Sequence, residues 1–132
     1  MLASASDTVR LSLHVLAATI WVGGQLVLAA LVPALRRAGT DVPRLAARAY
    51  NRIAWPAFAV LILTGIWNIQ AEDDWHGDRL TVLIVKLVLV VVSGVSAWAH
   101  ARATTKRGLA IGGAVTGLSA LSVLVLGIVI AG

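Results

Sequence analysis

The stretch LHVLAATIWVGGQLVLAALVPALR, residues 13–36, decides the fold. It reaches its first lysine or arginine only at Arg36, and it contains no acidic residue. A transmembrane helix needs about 20 consecutive, mostly apolar residues. The stretch therefore predicts a membrane-spanning helix, although it also carries His14, Trp21 and Gln25, which are costly or unusual side chains in lipid.

The whole chain has the composition of a membrane protein. Hydrophobic residues make up 59% of its 132 residues, charged residues only 13%, and the mean hydropathy is +0.90. Four apolar windows of spanning length use nearly all of it, and only Lys86 interrupts them with a charge. We predict an all-α, single-domain, up-and-down bundle of four transmembrane helices over residues 1–132, with spans at about 11–35, 53–71, 80–101 and 109–131.

The charges between the spans predict a topology. The segments 36–52 and 102–107 together hold eight basic residues and one acidic residue. The N-terminal tail and the loop 72–79 hold two basic residues and five acidic ones. Because basic loops stay on the cytoplasmic side, we expect a bacterial plasma-membrane protein with both termini outside. The net charge of +5 then reflects membrane topology, and no nucleic-acid partner is expected.

Arg44, Arg48 and Arg52 recur every four residues, so they share one face of a helix that leads into the second span. Such a stripe is typical of binding to anionic lipid headgroups, and docking of a partner protein is the alternative.

Ionisable residues inside the spans need a partner or a function. His14 lies three residues into the first span and Lys86 six residues into the third. In an up-and-down bundle these two spans run parallel, which places both residues in the outer half of the membrane. His100 lies about 20 Å farther along the third span, so one cofactor held by both histidines is not expected. We expect His100 at the cytoplasmic interface beside Arg102, or at a second site there.

Two helical stripes mix polar and small residues, and we expect them to face each other in the interior of the bundle. A third set of polar and aromatic residues on the second span lies near the level of His14. The stripe of the first span is His14, Ala18, Trp21, Gln25 and Leu28; that of the third is Lys86, Val90, Ser93, Ala97 and His100; the second span adds Thr64, Trp67 and Asn68.

Span four is rich in glycine at a spacing of four residues, which lets helices approach closely in lipid. The pairs are Gly108 with Gly112 and Gly113 with Gly117. Gly113 and Gly117 predict close packing either inside the chain or against a second subunit or a larger membrane complex.

A histidine in a span can ligate haem iron, bind copper, relay protons or hydrogen-bond a neighbouring helix. Lys86 could extend to the headgroups, or it could neutralise a carboxylate or ligate a metal from inside the bundle. The chain has no cysteine and one methionine, and Cu(I) prefers sulfur ligands, so a copper site is less favoured than haem.

Three motifs resemble the CopD family of bacterial copper-resistance membrane proteins and the related HemJ-type protoporphyrinogen oxidases. They are LHVLAATIWVGG in span one, TGIW in span two and DRLTVLIVKLVLVVVSGVSAWAHAR in span three. The resemblance covers about three quarters of the chain. It implies a small four-span protein in which His14 is the axial haem ligand and Lys86 its essential companion.

The leading hypothesis is therefore a membrane protein that binds a b-type haem in the outer half of the bundle. It would serve in electron transfer or as a haem-dependent oxidoreductase. The alternatives are copper uptake or handling, with His14 as an entry ligand, and an accessory subunit of a larger membrane complex. In the haem hypothesis His14 and Lys86 hold the cofactor, Ala18 lets the macrocycle approach, and Trp21, Gln25, Trp67 and Asn68 line the pocket.

Overall fold

The computed structural model describes residues 3–131, and this part of the chain contains helices and short connections but no strand. We label the helices α1 to α5 in chain order. They are α1 (Ala5–Ala18), α2 (Gly24–Ala38), α3 (Val42–Gln70), α4 (Gly77–Arg102) and α5 (Lys106–Ala131), with a π-helical turn, Thr19–Gly23, joining α1 to α2 without a break.

The predicted all-α fold with four apolar helices is confirmed. Because α1 and α2 are continuous through the π-helical turn, the helical segments form four rods, Ala5–Ala38, Val42–Gln70, Gly77–Arg102 and Lys106–Ala131. Each rod is long and apolar enough to cross a bilayer, so the chain is a multi-pass membrane protein. The second rod starts well before the predicted span at residue 53, and it carries the arginine stripe on the same continuous helix.

A side chain from α3 forms a hydrogen bond with the backbone of the π-helical turn in the first rod. A π turn widens the helix and disturbs the regular ladder of backbone hydrogen bonds. The Tyr50 hydroxyl lies 2.9 Å from the carbonyl oxygens of both Ile20 and Trp21, which share its single hydrogen. Since lipid offers the backbone no hydrogen-bond partner, this contact stabilises the irregular turn inside an apolar span.

The chain forms two compact units that meet in sequence between Asp73 and Asp74. The first unit contains α1, the π-helical turn, α2 and α3, and its packing core is aromatic. The Trp21 ring lies 4.3 Å from that of Phe58 and 5.4 Å from that of Trp55, measured between centroids, and Trp21 is only 3% exposed. These contacts, worth about 0.5–1.5 kcal/mol per aromatic pair beyond burial, hold the middle of the first rod against α3.

The second unit is a hairpin of α4 and α5 joined by small and hydroxyl-bearing residues. Ser93, Thr116 and Ser119 are buried. Thr116 donates a hydrogen bond of 2.7 Å to the Gly112 carbonyl and lies 2.9 Å from the Ser96 hydroxyl across the interface. Buried hydroxyls that bond to backbone carbonyls carry little polar cost, so they allow close helix contact in lipid.

We predict that Gly24→Ala destabilises the first unit, because the added Cβ would overlap the Tyr50 ring. Overpacking of this kind costs about 1–3 kcal/mol. Gly23→Ala is the matched control, since its Cβ would meet only the Thr19 Cγ2 atom at 4.0 Å. Thermal unfolding in detergent should show a lower midpoint for the first variant only; equal midpoints would contradict the packing of Tyr50 on Gly24.

Gly112→Ala should likewise loosen the second unit. Its Cβ would lie 3.0 Å from the His100 Cβ and 3.2 Å from the His100 Cα, which is backbone and cannot rotate away. Gly117→Ala is the control, because its Cβ would meet no described atom within 4 Å. Thermal unfolding in the same detergent should separate the two variants, and a Gly112→Ala protein as stable as the control would refute the close contact.

Candidate functional site

His14 is held between α1 and α3 in the first unit. The imidazole is half-buried, and its Nδ1 atom lies 2.8 Å from the Thr64 hydroxyl oxygen on α3. Thr64 is 5% exposed. The contact joins residues fifty positions apart in the chain. It fixes how α1 and α3 are aligned along their axes.

The hydrogen bonds of Thr64 favour one tautomer of the imidazole. The Thr64 hydroxyl has one hydrogen to donate. Its oxygen lies 2.7 Å from the Val60 carbonyl oxygen, which can only accept. Toward His14 the same oxygen must therefore accept, so the Nδ1–H of His14 donates to it. When the imidazole is neutral, this arrangement leaves the lone pair on Nε2, which is the form of histidine that ligates metals.

Gly65 lies against the edge of the same imidazole. A Cβ at this position would lie 3.7 Å from the Cε1 atom of His14, which neighbours Nε2 in the ring. Because this residue is glycine, its own position adds no side-chain atom beside the Cε1 edge of the imidazole. Thr64 and Gly65, the first two residues of TGIW, therefore set the orientation and the surroundings of His14 from one turn of α3.

The other residues of the predicted stripe on the first rod share the inner face of the rod but lie at different depths. His14, Ala18, Gln25 and Leu28 are half-buried, and Trp21 is buried. Ala18 is one turn from His14. Trp21 and Gln25 lie about 10 and 16 Å from His14, measured along the helix axis. Trp21 packs in the aromatic core, and the buried Gln25 side-chain amide lies beside the Tyr50 hydroxyl, with which it interacts. The lining role of Trp21 and Gln25 stays a prediction.

Two further predicted residues lie at the end of α3. Trp67 is 40% exposed, and Asn68 is half-buried with its Oδ1 atom buried and lacking a donor in the described part of the chain. Both stay predictions as pocket residues. Arg10, one turn before His14, was not among the predicted site residues, although its spacing of four from the histidine was a readable signal.

Lys86 lies in the second unit, where its side chain packs against α5. A Cβ on Gly127 would lie 3.4 Å from the Lys86 Nζ atom and 3.8 Å from Cε, so the amine is beside the backbone of α5. Val90, Ser93, Ala97 and His100 of the same predicted stripe are half-buried or buried. The stripe on α4 thus contacts α5 within this unit, and its pairing with the stripe of His14 stays a prediction.

His100 packs into a notch formed by two glycines. Cβ atoms on Gly112 and Gly113 would lie 3.0 Å from the His100 Cβ and 3.3 Å from its Cε1. Its Nδ1 atom is buried without a hydrogen-bond partner among residues 3–131, while Arg102 stacks 4.0 Å from the Trp98 ring instead. Gly113 therefore contributes to packing inside the chain, and Gly117 has room around it.

The described residues offer no group of three histidine, cysteine or acidic side chains that could hold a metal ion together. His76 is 83% exposed at its side chain, and its Nδ1 atom pairs with Asp74 at 3.1 Å in the acidic loop. Arg44, Arg48 and Arg52 are exposed, which suits either the lipid or the partner role predicted for them. His14 is thus the metal-ligand candidate that the structure best prepares.

Comparison of the chain with protein-family models, curated proteins and solved structures gives no match. The resemblance to CopD and HemJ-type proteins stays a prediction.

We predict that Thr64→Val changes the tautomer of His14. Valine keeps the shape of threonine but offers no acceptor, so the Nε2–H form becomes populated; Thr64→Ser retains the hydroxyl and should behave as the wild type. Nitrogen NMR of ¹⁵N-histidine-labelled protein, in alkaline buffer where imidazole is neutral, distinguishes the protonated from the bare nitrogen. A Thr64→Val spectrum identical to the wild-type spectrum would contradict the acceptor role of Thr64.

Proposed function

We propose that the protein binds a b-type haem through His14 and serves in electron transfer or haem-dependent oxidation in a bacterial plasma membrane, with both termini outside. The observation that carries the proposal is the hydrogen bond between His14 and Thr64. It presents Nε2 as the basic nitrogen of the imidazole, as a haem ligand requires. Bound haem would supply one-electron redox chemistry.

The residues around His14 fit a flat macrocycle. Gly65 on α3 and Ala18 on α1 are both small, and both lie within one turn of the imidazole or its hydrogen-bond partner. Because His14 is half-buried, part of its side chain reaches the surface of the first unit while its Nδ1 atom contacts Thr64. Haem would therefore bind against this surface, with apolar side chains of the span around it.

Thr64 acts in this proposal as a positioning residue. It holds the imidazole ring by one hydrogen bond while its own proton is bound to the backbone of α3. Loss of such a partner typically weakens metal binding by about 10–100-fold. The proposed companion role of Lys86, as ligand or as partner of a carboxylate, is a prediction from the sequence.

Copper handling and an accessory-subunit role remain alternatives from the sequence. The structure provides no particular support for copper, since residues 3–131 lack a cluster of three suitable ligands. The arrangement of His14, Thr64 and Gly65 favours a cofactor that needs one imidazole from the protein and brings its remaining ligands itself. Haem meets this condition because its porphyrin supplies four nitrogens.

The test is an absorption spectrum of protein purified in mild detergent, oxidised and then reduced with dithionite, with iron and copper assayed on the same sample. We expect a Soret band, sharp bands on reduction and near-stoichiometric iron. His14→Ala should lose the bands, whereas His76→Ala should retain them, because His76 lies in the exposed loop.

Two results would overturn the proposal. Wild-type protein that binds no haem after titration with hemin would exclude the function, and copper in that sample would support metal handling instead. A His14→Ala protein that binds haem with an unchanged spectrum would exclude His14 as the ligand.

A further inference from the structure

Arg10 is a largely buried cation at the end of a membrane-spanning rod. Its side chain is 12% exposed, although it lies in the second turn of α1, near the start of the rod. It precedes His14 by four residues, which puts the two side chains on one face of the helix, about 6 Å apart along the axis. A guanidinium so placed needs acceptors from its surroundings.

Only part of this need is met by the described residues. Arg10 Nη2 donates to the Asp7 carboxylate at 2.8 Å, and the other oxygen of that carboxylate accepts from the Ser4 hydroxyl at 2.6 Å. The Arg10 Nε atom is buried and has no acceptor within residues 3–131. Leaving a buried N–H of a charged group unbonded is unfavourable, so an anionic group drawn in beside the guanidinium would gain a hydrogen bond that the described residues do not supply.

A second polar group with an unmet bond lies at the same end of the unit. The contacts of His14 with Thr64 and of Trp21 with Phe58 show that α1 and α3 run antiparallel. Asn68 lies one turn beyond Thr64, on the side of the histidine where Arg10 lies. Its buried Oδ1 atom lacks a donor in the described part of the chain. A carboxylate with its hydration water would supply an acceptor to Arg10 and a donor to Asn68.

We propose that Arg10 binds a carboxylate of the ligand held by His14, which for haem is a propionate. This inference rests on the proposed function and specifies how the cofactor is oriented. The two propionates lie on one edge of the macrocycle. With the iron at His14, Arg10 draws that edge toward the end of the rod and leaves the apolar edge in the span. Arginine suits this role because its planar donors match a carboxylate and it stays charged in an apolar setting.

The experiment compares two ligands that differ only at the carboxylates. Hemin and hemin dimethyl ester are titrated, by Soret absorbance, into haem-free protein in a neutral detergent. Wild-type protein should bind the free acid about tenfold more tightly than the ester, as expected of a hydrogen-bonded charge pair. Arg10→Gln should bind both ligands with the affinity of the ester.

Two further variants separate this role from a structural one. Arg36→Gln removes the same charge from an exposed position at the other end of the rod, and it should keep the wild-type preference. Asp7→Asn removes the carboxylate that now pairs with Arg10 and should increase the preference for the free acid. A merely structural ion pair would predict no such increase.

The outcomes for the function and for the inference are distinct. Wild-type protein that binds neither ligand would overturn the proposed function and this inference with it. Binding that depends on His14 but is equal for both ligands would overturn the role of Arg10 and leave the function standing. An Arg10→Gln protein that still prefers the free acid tenfold would do the same.

Discussion

Hydrocarbon cannot hydrogen-bond a polypeptide backbone, and the architecture of this protein follows from that constraint. Each rod is helical, so its backbone groups bond largely within the helix, and large apolar side chains cover its exposed surface. The same constraint applies to the π-helical turn Thr19–Gly23, where the Tyr50 hydroxyl reaches two backbone carbonyls from α3. The neighbouring helix thus adds a hydrogen-bond donor at carbonyls of the irregular turn, one of which, that of Ile20, also accepts from the Gly24 N–H.

The constraint also explains how the polar side chains are arranged. Hydroxyl groups bond first to a carbonyl one turn earlier in their own helix, as Thr64, Thr116 and Ser119 do. Their oxygen can then accept a hydrogen bond from another helix at little cost. Thr64 uses this capacity to hold His14. The hydrogen bond from the Thr64 hydroxyl to the Val60 carbonyl therefore also favours the His14 tautomer that has its proton on Nδ1.

Much of the fold was readable from the sequence because it depends on local composition and helical period. The four apolar windows predicted the rods, and the stripe from His14 to Leu28 is indeed the less exposed face of the first rod. The rods extend beyond the predicted apolar spans, and the start of the second rod contains the helix predicted to lead into span two. The second rod begins at Val42, since a helix extends past the apolar window as long as its residues favour helix, and arginine and alanine do.

The sequence by itself determined that this is an all-α, multi-pass membrane chain and that His14 is an unusual residue within it, because hydropathy and period are properties of neighbouring residues. Only the tertiary structure decided that Thr64 is the acceptor for His14, that Gly65 lies beside the imidazole and that Lys86 packs against Gly127. These contacts join residues about forty to fifty positions apart. Their distances depend on how two helices are aligned along their axes, which a periodic pattern in one helix does not specify.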